Sequence, residues 1–370
     1  MTTSMVKGSP LKLMLQFAVP LLIGNLLQQT YNIIDAAIVG QFLGAEALAS
    51  VGASSSVQFL VLGFCMGSCT GFGVPVAKYF GAERYERMRN YIFNGAILTG
   101  AIAVILTTAC ALLCSWILHI LSVPKDIYAN AYQYLFIIFL GIPFTLMYNY
   151  LSSILRAVGD SRTPFFFLAF SAVLNIFLDL FCIVVVKLGC AGAAIATISA
   201  QAISGILCLV FIIKKVHIMS LNKSERTWSG KAAKELLLMG IPTGLQFSIT
   251  AIGSMIMQSA NNGLGSMYVS AFTAASRIKQ FTLCPFDAFS SAASVFCSQN
   301  FGAGQADRIR QGLKRGVAVG VIYGIFAGIL MITAGRVLSM IFLGTEAVGA
   351  LDASAKYLSC MGLFYWSLGI

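Results

Sequence analysis

Apolar residues fill this chain in long runs, and polar positions collect in the short segments between them. A run of about 18 or more apolar residues is long enough to cross the hydrocarbon core of a bilayer as a helix. Reading for such runs predicts ten spans, near 15–38, 50–77, 91–118, 128–154, 164–186, 189–213, 236–260, 266–297, 313–333 and 350–370. The first run has no small-residue cleavage site behind a short apolar core and leads on through Asp35, so it reads as a retained helix and not a signal peptide. The expected fold class is therefore all-α integral membrane.

Composition agrees with the pattern. Hydrophobic residues make up 58% of the chain and charged residues 10%, against roughly 45–50% and about 25% in soluble domains. The net charge of +11 could point to nucleic acid, so the placement of the cations decides the matter. Of the 24 Lys and Arg, only Lys125, Lys187, Arg336 and Lys356 fall on one face of the membrane, and Arg277 and Lys279 lie within a span. The rest collect on the other face. By the positive-inside rule that face is cytoplasmic and carries the amino terminus, and the basic balance is topological, with no nucleic-acid partner implied.

Ten cysteines include no CxxC, and the close pairs Cys65/Cys69 and Cys110/Cys114 lie within spans, where they read as small buried hydrophobes. His119 and His217 sit at span ends and match no ligand pattern. With no nucleophile triad, metal cluster or phosphate loop, and no loop large enough for a soluble catalytic domain, an enzyme is not expected.

The chain is built twice. AKYFGAERYERMRNYI, beginning at Ala77, aligns with SQNFGAGQADRIRQGL, beginning at Ser298, so that Phe80, Gly81, Ala82, Arg87 and Arg89 match Phe301, Gly302, Ala303, Arg308 and Arg310. Pro20 matches Pro242, and Gln58 with Phe59 matches Gln280 with Phe281, at a shift of 222. Six spans separate each residue from its mate, and an even number returns the chain to the same face. The repeats are thus parallel, with a substrate site expected between them. The domain reading is a six-helix lobe over 1–213, a cytoplasmic linker over 214–235, and a second lobe over 236–370 with about four helices.

The opening FAVPLLIGNLLQQTYNIIDAAIVGQFLG, the loop LRAVGDSRTP at 155–164, the NIFLD run at 175–179 and the paired FGA motifs resemble the multidrug and toxic compound extrusion (MATE) transporters, in particular their DinF-like branch. The likeness covers essentially the whole chain. It implies two helical bundles around a V-shaped cleft, and antiport of organic, often cationic, compounds against H+ or Na+, with no other cofactor. It also implies that Asp35 is the acidic residue of helix one, with Tyr31 one turn earlier, and that Asn175, Asp179 and Thr197 complete the coupling pocket. The NorM-like branch carries a glutamate in helix seven, whereas GIPTGLQFSITAIG has no acid here, which leaves the coupling acids in the first half. Family members have twelve helices and this sequence ends at the tenth, so a truncated second lobe is expected.

The residues themselves support the pocket. A carboxylate near the bilayer centre costs at least about 2.5 kcal/mol and marks function by default. Tyr31 and Asp35 are four apart, as are Asn175 and Asp179, so each pair shares a helix face; Gln28, Asn32 and Ser171 extend those polar stripes. Protonation of the pair is expected to bias helix one between substrate-binding and substrate-releasing forms. Sodium is the rival ligand, held by oxygens of Asp35, Asn175, Asp179 and Thr197. Arg277, Lys279 and Asp287 fall within the eighth span as candidates for the second wall of the substrate cavity. Gly312, Gly316, Gly320, Gly324 and Gly328 form a packing stripe.

The expectation is a secondary multidrug exporter, monomeric, in the cytoplasmic membrane of a prokaryote, taking a small organic substrate. Arg277 and Lys279 keep alive a flippase for a lipid-linked precursor of the same superfamily. The short second lobe keeps alive a non-transporting or truncated paralogue.

Overall fold

A computed structural model describes residues 3–121, 123–344 and 346–370. Among the described residues every regular element is a helix: α1 (Pro10–Leu43), α2 (Ala45–Gly81), α3 (Tyr85–Ile120), α4 (Lys125–Leu140), α5 (Ile142–Ala157), α6 (Arg162–Leu180), α7 (Gly189–Lys215), α8 (Gly230–Asn262), α9 (Ser266–Gly302), α10 (Ala306–Leu343) and α11 (Val348–Phe364). Seven of these are single helices long and apolar enough to cross a membrane, and α4 with α5 forms an eighth candidate bent by 45°. α9, which carries Arg277, Lys279 and Asp287, and α11, with 17 residues, fall outside that set.

Each predicted span has its helix, and the differences have local causes. The span at 128–154 is broken at Gly141, where Ile142 and Pro143 follow; proline has no N–H to continue the ladder, and a β-carbon on Gly141 would strike Ile198 of α7. The link between halves is shorter than 214–235, because α7 runs to Lys215 and α8 starts at Gly230, where Ser229 accepts from the Ala232 N–H. Beyond Leu180 the fifth span, α6, passes into a π-helical turn at Phe181–Val185, which starts two residues past Asp179.

The internal repeat is visible in the backbone. Ala82 (φ −78°, ψ 0°) and Ala303 (φ −78°, ψ −2°) close α2 and α9 alike. Glu83 and Gly304 follow at φ 56° and 71°, then Arg84 (φ −92°, ψ 68°) and Gln305 (φ −94°, ψ 66°).

The halves meet crosswise. α8 packs along α2 more extensively than along its neighbour α9, and α1 packs on α9. Gly67 and Gly71 let the α8 backbone approach at Thr243 and Met239, closer than a β-carbon would allow. Their mates 221 residues on, Ala288 and Ala292, are buried with Met14, Phe17 and Leu21 of α1. At the end of the molecule that carries the FGA turns, Gly81 rests on the backbone of Gln299 and its mate Gly302 on that of Lys78. Lys78 Nζ reaches Glu235 Oε1 at 2.8 Å, and the Tyr91 hydroxyl donates to Glu235 Oε2 at 2.5 Å.

The segment leading into each half docks on the other half. Before α1, the Met5 N–H donates to Gln299 Oε1 (2.8 Å), and the Met5 carbonyl accepts from Asn300 Nδ2 (3.2 Å) and Arg308 Nη2 (3.1 Å). Before α8, Glu225 meets Arg89 Nη2 at 2.6 Å, and the Thr227 carbonyl accepts from Asn90 Nδ2 (2.9 Å) and Asn94 Nδ2 (3.1 Å). Met5 and Thr227 are themselves 222 residues apart.

Candidate functional site

Five helices of the first half, α1, α2, α4, α6 and α7, converge on a polar pocket inside the bundle. The start of α6 is fixed by Asp160, whose carboxylate accepts from the Arg162 and Thr163 N–H groups (3.1 and 3.0 Å) and from the Thr163 hydroxyl (2.7 Å). The LRAVGDSRTP motif is thus a turn that sets the height of α6. Three and four turns later that helix presents Asn175 and Asp179, 4% and 0% exposed. From α7, Thr197 Oγ1 accepts from Asn175 Nδ2 at 3.4 Å and donates to the Ala193 carbonyl at 3.0 Å.

Asp35 of α1 lies in hydrogen-bonding reach of Asp179. Tyr31 sits one turn before Asp35, with Gln28 in reach of its hydroxyl. Tyr134 of α4, buried and in reach of Gln58 of α2, stands close to both aspartates. Among the described residues, no donor reaches Asp35 Oδ1, Asn175 Oδ1, or either carboxylate oxygen of Asp179. Two carboxyl groups in contact, with their free lone pairs turned inward, must share a proton or a cation, because like charges at this separation in a dry site repel strongly. The arrangement can therefore take up one small positive species and release it.

Other residues singled out from the sequence are dispersed. Ser171 is half-buried on α6 one turn before Asn175. Asn32 is exposed on α1, offset from Tyr31 by about 100° of helix turn. On α9, Gln280, Asp287, Ser291, Ser294 and Ser298 recur every three or four residues or their multiples, along one face. The last three line a slot against α2 and α5 of the first half, and Arg277 and Asp287, farther back along α9, are exposed. Lys279 and Arg277 border that face on opposite sides, each about 80° of helix turn from Asp287, with Lys279 half-buried.

Tyr134, Gln58 and Gln201 were not found from sequence. Gln201, one turn after Thr197 on α7, has a buried Oε1 that no donor reaches among the described residues, and its spacing of four from Thr197 was the available signal. Gln58 is the repeat mate of Gln280, but nothing along α2 marks it as a pocket residue. Tyr134 carries no sequence signal, since only the packing of α4 brings it to the aspartates. Among the described residues no cluster of three or more His, Cys, Asp and Glu could hold a metal ion in the usual way. A depression of about 490 Å³ on α8, lined by Trp228, Leu238 and Pro242, contains no residue of this pocket.

Comparison with known proteins agrees with this architecture. The MatE family model matches residues 20–181 and again 242–370, two segments whose starts are separated by the internal repeat spacing. The chain is 31% identical over 365 residues to the probable multidrug resistance protein YpnP of Bacillus subtilis, covering 98% of this chain and 81% of that one. It is 25% identical to the probable multidrug resistance protein NorM of Thermotoga maritima, covering 97% and 77%. Among solved structures, a MOP superfamily transporter from Pyrococcus furiosus superposes with a TM-score of 0.90 at 21% identity, covering 98% and 80%. An outward-facing MATE family transporter matches equally, with a TM-score of 0.90 at 20% identity, covering 98% and 80%. With the family model matched over both halves, this chain belongs to the MatE family of multi-pass membrane transporters.

Proposed function

We propose that the protein is a multidrug efflux transporter that exchanges organic, predominantly cationic compounds for H+ or Na+ by alternating access. The observation that carries this reading is the Asp35–Asp179 contact, with buried acceptor oxygens of Asp35, Asn175 and Asp179 that no donor reaches among the described residues. A proton would join the two carboxyl groups. A sodium ion would find carboxylate, amide and hydroxyl oxygens from Asp35, Asp179, Asn175 and Thr197, the donors a hard cation prefers. Either ion removes the repulsion between α1 and α6 and so shifts the equilibrium between two forms of the first bundle.

The multidrug assignment is supported by the printed names of the relatives. The acid-free face of α8 around Pro242 supports a DinF-like and not a NorM-like arrangement. The excess of cations in the loops at the FGA-turn face supports a cytoplasmic amino terminus in a prokaryotic inner membrane, and the form closed at that face is then outward-facing. A flippase for an anionic lipid precursor would call for a cationic cavity; here the carboxylate of Asp287 stands around α9 between Arg277 and Lys279, about 80° from each.

The test is dye efflux from vesicles with independently imposed pH and sodium gradients, comparing the wild type with Asp35→Asn. The expected outcome is gradient-driven efflux in the wild type and none in the variant. Unchanged coupled transport by Asp35→Asn would remove this residue from the mechanism.

A further inference from the structure

The slot that Ser291, Ser294 and Ser298 line lies on the internal two-fold axis. Its walls are Thr70, Gly73, Val74 and Ala77 of α2 and their repeat mates Ser291, Ser294, Val295 and Ser298 of α9, each 221 residues on. Arg156, from the last turn of α5, enters the slot from the first half beside Ser153. We infer that this slot is a binding site for a halide-sized inorganic anion, held jointly by the two halves.

Charge is the first argument. Arg156 is mostly buried and makes no side-chain hydrogen bond or ion pair among the described residues. The titratable groups in electrostatic reach of it are Tyr148 and Cys69, both neutral at pH 7, and no carboxylate is among them. Asp160, four residues on, is occupied with the start of α6. A guanidinium partly withdrawn from bulk water without a counter-charge carries a cost, and it cannot shed its proton to relieve it.

Donor chemistry is the second. Thr70 and Ser298 give their hydroxyl protons to helix carbonyls, Met66 at 2.9 Å and Ser294 at 2.7 Å. Ser153, Ser291 and Ser294 have no side-chain partner among the described residues and can donate inward. Size is the third. The free space is about 30 Å³, comparable to the volume of a single water molecule in the liquid, which admits a monatomic anion and excludes a lipid headgroup or an organic acid. Because ligands come from α5 on one side and α9 on the other, the anion binds only while the halves are closed at this end, and it favours that form. The inference is independent of the coupling reaction at Asp35 and Asp179.

The test is thermal unfolding of the purified full chain in sodium chloride and in sodium gluconate, at equal sodium concentration and pH so that the coupling pocket is held constant. Wild-type protein is expected to show a midpoint that rises with chloride and saturates, and Arg156→Gln a midpoint indifferent to the anion. Equal wild-type midpoints in the two salts would overturn the site, as would chloride dependence persisting in Arg156→Gln. Should Arg156→Gln not fold, the double variant Ser291→Ala, Ser294→Ala is measured instead. A smaller chloride shift supports the site, and an undiminished shift overturns it.

Discussion

Gly81 and Gln299 touch backbone to backbone, so that a β-carbon on the glycine would fall on the Gln299 carbonyl group. Gly81→Ala is therefore expected to lower the thermal midpoint, by about 1–3 kcal/mol of overpacking, and Gly302→Ala to do the same through Lys78. Gly100→Ala is the control: nothing lies within 4 Å of the added atom, so its midpoint should stay level or rise. Thermal unfolding of the three variants in one detergent decides this.

In the pocket proposed for coupling, Thr197→Val removes the oxygen that accepts from Asn175. A lost buried acceptor costs about 1–1.5 kcal/mol, so apparent affinity for the coupling ion should weaken about tenfold, with Thr197→Ser close to wild type. The readout is the ion concentration that half-saturates dye efflux from vesicles. An unaltered value in Thr197→Val would exclude Thr197 from the ion's surroundings.

The spans were readable because bilayer thickness imposes a minimum apolar length on each, and their extra turns were not, because those turns are polar. α8 shows the difference: it starts at Gly230, six residues ahead of the apolar run, through Lys231, Lys234 and Glu235. The break at Gly141 had a signal in Gly141 and Pro143 but leaves the hydropathy of 128–154 unchanged. Within the site, Asp35, Asn175 and Asp179 were readable because a carboxylate or amide is costly in hydrocarbon. Tyr134 was not, because a tyrosine in an apolar run is ordinary. Arg277 and Lys279 are neighbours in sequence, yet helix geometry sets them on either side of Asp287, about 80° from it in each case.

Asp287, exposed on α9 on the face it shares with Ser291 and Ser294, should select for positive charge if the proposed substrate path runs along that face. Asp287→Asn is expected to lower export of cationic dyes about fivefold, the effect of losing about 1 kcal/mol of attraction at a partly solvated site, while a neutral dye is unaffected. Efflux of matched charged and neutral dyes from the same vesicles reads the ratio. Equal losses for both would show that the side chain faces away from the substrate path.

Outside the membrane, the Arg89 guanidinium holds the Glu225 carboxyl below its ordinary value of 4.5. With the folded-state value below the unfolded one, the contribution of this pair is complete above about pH 4.5 and is lost as the pH falls through the folded-state value. Glu225→Gln should loosen residues 217–229 at neutral pH by about 1.5–3 kcal/mol, the worth of a charge-assisted hydrogen bond. Hydrogen exchange of that segment is the measurement, with faster exchange expected in the variant at pH 7 and in the wild type only on acidification.

The crossed leader segments also order the birth of the molecule. Residues 3–9 leave the ribosome long before the side chains that grip Met5, those of Gln299, Asn300 and Arg308, which are made some three hundred residues later. Until α9 and α10 have been inserted, the segment ahead of α1 has nowhere to dock. Residues made early are thus among the last to find their seat, and a nascent chain halted before α9 would carry that segment loose.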